Sequence, residues 1–415
     1  MNEAVNIPQL RFPEFTKALR RKSLGDFGYF YYGKSAPKWS VTEDAKTPCV
    51  RYGELYSTFG EYILDIKSHT NIPPENLKFS KGGEVLVPRV GEDPLDFAYC
   101  SFLPISDVAI GEMISVYNTK ESGLFFTYYI NSKLKKAFAR VVEGGNVSNL
   151  YYKYLENINV TIPSLDEQDK IIDFLSAVDN KIELLRQKQE LLGEYKKGLM
   201  QQIFSQAIRF KANDGSDFPD WEEKKLGDLS VVISDGNYGE LYPTSSDFKL
   251  TGVPFLRANN IKSLKIDGTD TKYITEEQHS LLTSGHLQTN DILITTRGVL
   301  GNLAIVESTH NGSNINAQIC LLRVTNTSEL NHFYLLFVLD HRDSKKQYKA
   351  FETGTALKQL PKGNLRKIKL KLPTLFEQNK IANFLSSIDT KIEQVDKQLD
   401  ESKQFKKALL QQMFV

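Results

Sequence analysis

Residues 163–204 read PSLDEQDKIIDFLSAVDNKIELLRQKQELLGEYKKGLMQQIF, and residues 373–414 read PTLFEQNKIANFLSSIDTKIEQVDKQLDESKQFKKALLQQMF. The two stretches align without a gap, so that position 163 corresponds to position 373, and nearly half of the aligned positions are identical. Self-similarity at a fixed offset is the sequence signature of a duplicated structural unit. The chain is therefore predicted to contain two copies of one long element.

The duplication continues upstream of these stretches, although more weakly. Pairs of similar segments recur in the same order in both halves: KSLGDFG (22–28) and KKLGDLS (224–230), TPCVRYGEL (47–55) and VPFLRANNI (253–261), GEVLVPRVG (83–91) and NDILITTRG (290–298), GGN (144–146) and GTA (354–356), ENINVTIP (156–163) and RKIKLKLP (366–373). Each copy is predicted to be a mixed α/β domain followed by a long helix. The predicted domain boundaries are 1–160 and 207–370, with the helices at 161–206 and 371–415.

The two long helices carry a heptad pattern. Each follows a proline, and Ser164 or Thr374 is predicted to cap it with Glu167 or Glu377 three residues on, which is a capping box. The 4-3-4-3 spacing predicts an apolar seam, and the two helices are expected to pack antiparallel within one chain; a generic dimerisation arm is the alternative. The predicted seam and partner-facing residues are Ile171, Phe174, Leu175, Val178, Ile182, Leu185, Leu192, Leu199, Ile381, Phe384, Leu385, Ile388, Ile392, Val395, Leu399 and Leu409, and the same spacing passes through Tyr195 and Phe405.

Composition and sequence patterns argue against a disulfide-rich, a membrane-spanning or a secreted protein. The chain has 52 basic and 51 acidic residues among 415, a net charge of +1, so its bulk charge gives no indication of nucleic-acid binding and does not exclude it. The three cysteines (Cys49, Cys100 and Cys320) are far apart and odd in number, which argues against a disulfide framework and favours the reducing cytoplasm. No apolar run reaches the length of a membrane span, and the N-terminus has no signal-peptide pattern.

Polar loop residues between predicted strands supply candidate contacts to DNA. Arginine, asparagine, glutamine, threonine and serine are the side chains that read base edges or bind phosphates. Each of these residues could also be an ordinary turn residue. The candidates are Lys34, Ser35, Lys38, Arg51, Tyr52 and Arg89 in the first domain, and Asn237, Tyr238, Arg257, Asn259, Asn260, Thr295, Arg297, Asn314 and Gln318 in the second.

One short stretch imitates a nucleotide site. Residues 28–35, GYFYYGKS, match the P-loop pattern G-x-x-x-x-G-K-[ST]. The four middle residues are large aromatics that favour strand, and Pro37 disfavours a following helix, so a strand running into a loop is predicted instead. No other catalytic or metal-ligand motif is found, and no catalytic or metal site is predicted in this chain.

Taken together, these features resemble the specificity (S) subunit of type I restriction–modification enzymes. The resemblance rests on the two P-[ST]-L-x-E-Q-x-K-I helices, on the L-G-D openings of both domains, and on ISDGNYGELYP (233–243) with VPFLRANNI in the second domain; LVPRVGEDP in the first domain departs from the usual T-R-G form. The implied fold class is α+β: two mixed α/β target-recognition domains in tandem, separated and joined by two long helices packing as an antiparallel coiled coil with pseudo-two-fold symmetry.

The resemblance also implies a function and partners. Each domain would read one half of a bipartite, asymmetric target in double-stranded DNA, and the helices would set the gap and dock two modification (methyltransferase) subunits. S-adenosylmethionine, ATP and Mg²⁺ would bind partner subunits, including the restriction (translocase and nuclease) subunit, and not this chain. Two other readings stay open: an enzyme that cleaves or methylates DNA by itself, and a coiled-coil adaptor with no role at DNA.

Overall fold

A computed structural model describes residues 7–145, 147–239, 242–355 and 357–415. Residues 146 and 356 of the aligned GGN and GTA turns, and residues 240–241 of the loop at 233–243, lie outside this range. By the density of their contacts the residues form two compact units: unit 1 comprises residues 1–186 and 397–415, and unit 2 comprises residues 187–396. Each unit thus combines one globular domain with a part of both long helices.

Unit 1 contains thirteen short strands and five short helices in its described residues. The strands are β1 (Arg20–Ser23), β2 (Gly28–Tyr32), β3 (Thr47–Val50), β4 (Ser68–Thr70), β5 (Phe79–Lys81), β6 (Glu84–Pro88), β7 (Val90–Gly91), β8 (Ser101–Leu103), β9 (Ser106–Ile110), β10 (Ile114–Thr119), β11 (Glu143–Gly144), β12 (Ser148–Asn149) and β13 (Asn159–Ile162). The helices are α1 (Leu24–Phe27), α2 (Tyr52–Ser57), α3 (Gly123–Tyr129), α4 (Lys135–Ala139) and α5 (Tyr152–Leu155), and the first long helix, α6 (Leu165–Phe204), follows β13.

Unit 2 repeats this plan. Its strands are β14 (Glu222–Lys225), β15 (Val231–Asp235), β16 (Val253–Leu256), β17 (Ile261–Lys262), β18 (Lys265–Ile266), β19 (Lys272–Ile274), β20 (Ile292–Thr295), β21 (Leu303–Ile305), β22 (Asn314–Ile315), β23 (Ile319–Val324) and β24 (Lys369–Leu372). Its helices are α7 (Glu276–Leu281), α8 (His332–Asp340), α9 (Arg342–Phe351) and α10 (Lys362–Leu365), and the second long helix is α11 (Leu375–Met413).

The sheets of the two units have the same strand order. The main antiparallel sheet is β2-β10-β6-β8 in unit 1 and β15-β23-β20-β21 in unit 2. A second sheet in each unit contains one parallel pair: β3 with β9 at the centre of four strands, and β16 with β22 at the edge of three. The opening strand of each domain pairs with its closing strand, β1 with β13 and β14 with β24. The duplication predicted from the sequence is therefore also present in the topology.

The long helices pack antiparallel in each unit. In unit 1, Lys406 of α11 contacts Asp179 of α6, and in unit 2, Lys196 of α6 contacts Asp389 of α11. Gln189 also bonds to Asp396 in unit 2, so residue numbers rise on one helix as they fall on the other. This confirms the predicted fold class of mixed α/β domains with an antiparallel pair of long helices.

Most of the predicted seam is buried. Eleven of the predicted residues are less than a tenth exposed, which is expected of apolar side chains at the centre of a helix pair. Tyr195 and Phe405, which the heptad spacing also includes, are 55% and 51% exposed. A straight helix repeats every 3.6 residues instead of 3.5, so the facing stripe drifts away from strict heptad positions over several turns.

The helical segment late in each domain is interrupted. In unit 2 the pattern over residues 332–351 forms α8 and α9, separated at His341, whose ψ of 150° is extended. The His341 ring accepts a long bond from the N–H of Asp343 and so caps α9. In unit 1 the equivalent stretch is α3 and α4, joined by a π-helical turn over Ile130–Leu134. Among the described residues no helix is long and apolar enough to cross a membrane.

Candidate recognition surfaces and helix junctions

The stretch that imitates a P-loop is a strand, as predicted. Residues 28–32 form β2 at the edge of the main sheet of unit 1, and no α-helix follows before residue 52. A side chain at Gly33 would place its Cβ 2.1 Å from the carbonyl oxygen of Gly111, so only glycine fits there. Lys34 directs its Nζ to the carbonyl oxygen of Glu75 (3.3 Å). The loop therefore packs against its own domain and does not form a phosphate cradle.

Arg89 is held by tyrosines at the end of β6. Its guanidinium carbon lies 4.3 Å from the ring centroid of Tyr32 and 5.4 Å from that of Tyr151. Burial raises the pKa of the Tyr32 hydroxyl, and the Arg89 charge opposes this shift. No carboxylate among the described residues pairs with Arg89, and its Nε is buried without a hydrogen-bond partner. Arg89 is thus a cation held in place by aromatic rings and not neutralised by a carboxylate of the described residues.

The other candidates of unit 1 have less distinctive surroundings. Arg51 precedes α2, where its backbone N–H donates to Glu54, and its guanidinium lies 4.0 Å from the same carboxylate. Tyr52 is 41% exposed, and Lys38 is exposed at the start of a short 3₁₀ turn. Ser35 and Ala36 both have positive φ, at 65° and 60°. This strained pair bends the chain sharply after β2.

In unit 2 the candidate cation is Arg297, directly after β20. Its guanidinium carbon lies 4.9 Å from the ring centroid of Tyr238, and Nη2 donates to the Tyr238 hydroxyl (3.2 Å). Burial raises the pKa of Tyr238, which keeps this hydroxyl neutral. As with Arg89, no carboxylate among the described residues pairs with Arg297. Tyr238 is half exposed, so the stack lies at the surface.

Arg257 and Asn259 belong to a network closed by Asp270. Arg257 Nη2 donates to Asp270 at 2.6 Å, and Asn259 Nδ2 donates to the same oxygen at 3.2 Å. Hydrogen bonds from Lys272 and Arg257 lower the pKa of Asp270. Because the Arg257 charge is already neutralised by a carboxylate, this group fixes the loops around β19 and offers less to an anion.

Four more candidates of unit 2 are buried and bonded inside the domain. Asn237 donates to the Ser284 carbonyl (2.6 Å) and to the Asn314 side chain (2.7 Å). Asn260 bonds to the backbone of Arg257 and Asp267, and the Thr295 hydroxyl donates to the Val299 carbonyl. Their side chains are 4% exposed or less, so these residues stabilise the loops from inside the domain. Gln318 is exposed and accepts a bond from Asn316.

The glutamate of the repeated E-Q dipeptide anchors the segment that precedes each domain. Both oxygens of Glu167 accept bonds from Arg11 at 2.7 Å, and Glu377 is bonded by Arg209 and by the Trp221 indole. The structure therefore gives these glutamates a different partner from the predicted capping box. The phenylalanines after the arginines pack on the same helices, Phe12 on Phe174 and Phe210 on Phe384. The recurring Arg-Phe dipeptide is the sequence signal for this junction. The repeat does not reveal it, because the spacing between the two dipeptides differs from the constant offset between the two long helices.

The glutamine of the same dipeptide ties each long helix to the helical segment of its domain. Gln168 Oε1 accepts from the N–H of Ser122, and Gln378 Oε1 accepts from the N–H of Asn331. Ser122 and Asn331 are the N-cap residues of α3 and α8. Both glutamines are 2% exposed or less. The E-Q dipeptide is therefore a structural joint that occurs once in each unit.

A lysine, an aspartate and an aromatic residue form a further contact in each unit. Lys406 donates to Asp179 at 2.7 Å and lies 5.3 Å from the ring centroid of Tyr128; Lys196 donates to Asp389 at 2.5 Å and lies 4.9 Å from that of Phe337. Tyr128 also donates its hydroxyl to Asp179 (2.5 Å), a bond that Phe337 cannot make. Burial raises the pKa of Asp389, and Lys196 opposes this shift.

The structure offers no reactive centre in the residues it describes. No group of three or more histidine, cysteine, aspartate or glutamate side chains is placed to hold a metal ion in that part of the chain. The three cysteines are free and buried, and burial raises the pKa of the Cys49 thiol to about 11, which disfavours the nucleophilic thiolate.

Comparison with known proteins gives this architecture a family. Residues 21–194 and residues 219–402 each match the family described as "Type I restriction modification DNA specificity domain". The chain belongs to this family. Membership of the DNA specificity family, with two tandem copies of its domain, supports a non-catalytic role in recognising a DNA target.

Individual relatives agree with the family assignment. The type I restriction enzyme MjaVIII specificity subunit of Methanocaldococcus jannaschii is 26% identical over 292 residues, which cover 68% of this chain and 67% of the relative. A type I restriction–modification S subunit from M. genitalium has the same fold, with a TM-score of 0.64 and 17% identity over 99% of both chains. A solved structure concerned with complex assembly and conformational transition of the type I R-M system aligns with a TM-score of 0.56 and 18% identity, over 96% of this chain and 98% of that one.

Proposed function

We propose that this chain is the sequence-recognition subunit of a type I restriction–modification complex, in which each domain reads one half of a bipartite, asymmetric DNA target. The observation that supports this most is the duplication itself. The two units share their sheets and helix junctions, whereas the cations at their surfaces differ, with Arg89 on Tyr32 in one and Arg297 on Tyr238 in the other. Two domains of similar fold that carry different surface residues are suited to binding two different half-sites.

The long helices are proposed to set the gap between the half-sites and to dock two modification subunits. The helix pair suits the role of a spacer, because in each unit it is tied to its own domain through a buried glutamine and an ion pair. Exposed Tyr195 and Phe405 offer apolar contact area on these helices. S-adenosylmethionine, ATP and Mg²⁺ are assigned to the modification and restriction subunits, and the cytoplasmic location stays a prediction.

Exchanging one domain tests this function. Residues 206–372 are replaced by the matching domain of a relative, the hybrid is expressed with its modification subunit, and methylated sites are mapped by single-molecule sequencing. One half of the methylated sequence is expected to change while the other half and the gap stay the same. A change in both halves would contradict the modular function, and methylation without any preferred sequence would contradict DNA recognition by this chain.

A further inference from the structure

A ribbon of three short extended segments includes Arg297 in unit 2. The backbone of Thr353 pairs with that of Gln359, and Gln359 pairs in turn with Arg297, both antiparallel. The ladder is extended by the N–H of Gly298, which donates to the carbonyl oxygen of Lys358 (3.3 Å). This register places Arg297 opposite Gln359, Gly298 opposite Lys358 and, two steps along, Val299 opposite Leu357.

The two faces of this ribbon have different surroundings. Side chains two residues apart, and those directly opposite each other, share a face. Gly298 and Lys358 share the face that lines a cleft of about 810 Å³ against Lys196 and the rest of unit 2. The other face carries Arg297, Gln359, Val299 and Leu357, with Thr353 opposite Gln359, and of these Val299 and Leu357 are 70% and 75% exposed.

The outward face carries unused hydrogen-bonding capacity. Arg297 is oriented by Tyr238 and has no carboxylate partner, and the Gln359 side chain makes no hydrogen bond within the part of the chain that the structure describes. An arginine and a glutamine side by side are the two side chains that bind guanine and adenine edges through paired hydrogen bonds. A two-stranded β-ribbon also has the width that the major groove of B-DNA admits.

Unit 1 has the same ribbon with different side chains. Strands β11, β12 and β7 pair so that Asn149 lies opposite Val90 and Ser148 lies opposite Gly91. A Cβ at Gly91 would meet Tyr56 and Phe97, so that face points into the domain. The opposite face carries Val90, Asn149, the exposed Val147 and, by the same register, Glu92.

We propose that the outward faces of these two ribbons enter the major groove and contact base edges, an inference that rests on the proposed function. In unit 2, Arg297 binds a guanine and Gln359 binds an adenine. Opposite side chains lie about 5 Å apart and bases are stacked about 3.4 Å apart, so these two bases lie within about two base pairs of each other. In unit 1, Asn149 binds an adenine and Glu92 accepts from a cytosine amino group.

The test uses the full chain with its modification subunits on a library of targets randomised in both half-sites. The variants are Arg297→Ala, Arg297→Lys, Gln359→Ala and Asn149→Ala, and methylated sites are sequenced. Each alanine variant is expected to lose about tenfold to a hundredfold discrimination at one base position, guanine for Arg297 and adenine for Gln359 and Asn149. Arg297→Lys keeps the charge and loses the paired hydrogen bonds, so it should also lose discrimination for guanine.

Controls separate the proposal from folding and from the proposed function. Lys358→Ala lies next to Gln359 on the other face and is expected to leave every base preference unchanged, and the thermal unfolding midpoint of each variant reports on folding. The ribbon proposal is overturned if a folded variant lowers methylation equally on all sequences, or if its base preferences are the same as those of the wild type. It is also overturned if the variant loses its modification subunit in gel filtration while its base preferences stay the same. In each of these cases the proposed function is retained if the wild-type complex methylates a bipartite sequence. If the wild-type complex shows no bipartite preference, the proposed function itself is refuted.

Discussion

The two units fasten their domain to the helix pair through the same kind of contact, a lysine–aspartate pair beside an aromatic ring, but the neighbouring groups differ. In unit 1, Asp179 is bonded by Lys406 and by the Tyr128 hydroxyl, and Lys406 also reaches Glu61 (3.1 Å). In unit 2, Phe337 replaces the tyrosine, and Lys196 contacts Asp389 but no second carboxylate of the residues that the structure describes. The ion pair is therefore the common element of the joint, while the groups around it decide how well each charge is compensated.

The largest effect is expected on removing the aspartate of unit 2. Asp389→Ala leaves the ammonium of Lys196, which is 12% exposed, without a partner, and should cost about 2–4 kcal/mol of unfolding free energy. Asp179→Ala should cost less, because Lys406 keeps Glu61. Urea unfolding of both variants measures the difference, with Lys397→Ala, from an exposed ion pair, as a control that should cost little. Equal losses at Asp389 and Asp179 would remove the distinction between the two joints.

A smaller effect is expected on exchanging the aromatic residues. Tyr128→Phe removes a hydrogen bond to a charged carboxylate and should destabilise unit 1 by about 1.5–3 kcal/mol. Phe337→Tyr adds a hydroxyl beside Asp389 and should stabilise unit 2 or leave it unchanged, because the buried carboxylate gains a donor. Hydrogen exchange measured by mass spectrometry assigns each change to its unit. A loss of protection in unit 2 of the Phe337→Tyr variant would show that the site has no room for the hydroxyl.

The smallest effect is a difference in acid sensitivity. Burial lowers the pKa of His332 and of His341, and both histidines lie in unit 2. In the unfolded chain these rings titrate near about 6.5, so their contribution is present above that pH and is lost as the pH falls through the lowered folded pKa. Hydrogen exchange at pH 7.5 and pH 5.5 should show a greater loss of protection in unit 2, and His341→Gln should reduce this loss. An equal response of the two units would contradict the assignment.

Much of the fold could be predicted from the sequence, because a duplication shows each element twice. The strands around ILIT and LKL, the order of segments and the antiparallel helices all follow from local patterns and the constant offset. The candidate surface was harder to predict. Asn237 and Asn314 look like loop residues suited to base contacts, yet they are buried and bond to each other, because nothing local distinguishes an amide that supports a loop from one at its surface.

Residues brought together from distant positions were missed for a related reason. Arg297 and Gln359 are neighbours only through a ladder that joins the end of β20 to a segment about 60 residues later. Arg11 meets Glu167, and Arg209 meets Glu377, across still larger separations of 156 and 168 residues. Such pairings depend on the register of the whole domain, which no single window of sequence contains.

The Arg-Phe segment bears on how such chains can be rearranged during evolution. It precedes its domain in the sequence but binds the long helix that follows the same domain, at Glu167 in unit 1 and at Glu377 in unit 2. A domain acquired by recombination therefore fits its new host if it brings an Arg-Phe pair and meets a helix that begins with the E-Q dipeptide. The crossover points that preserve this fit lie just before the arginine and just after the proline that precedes the helix. Target specificity is then exchanged between chains without any change to the long helices that carry the domains.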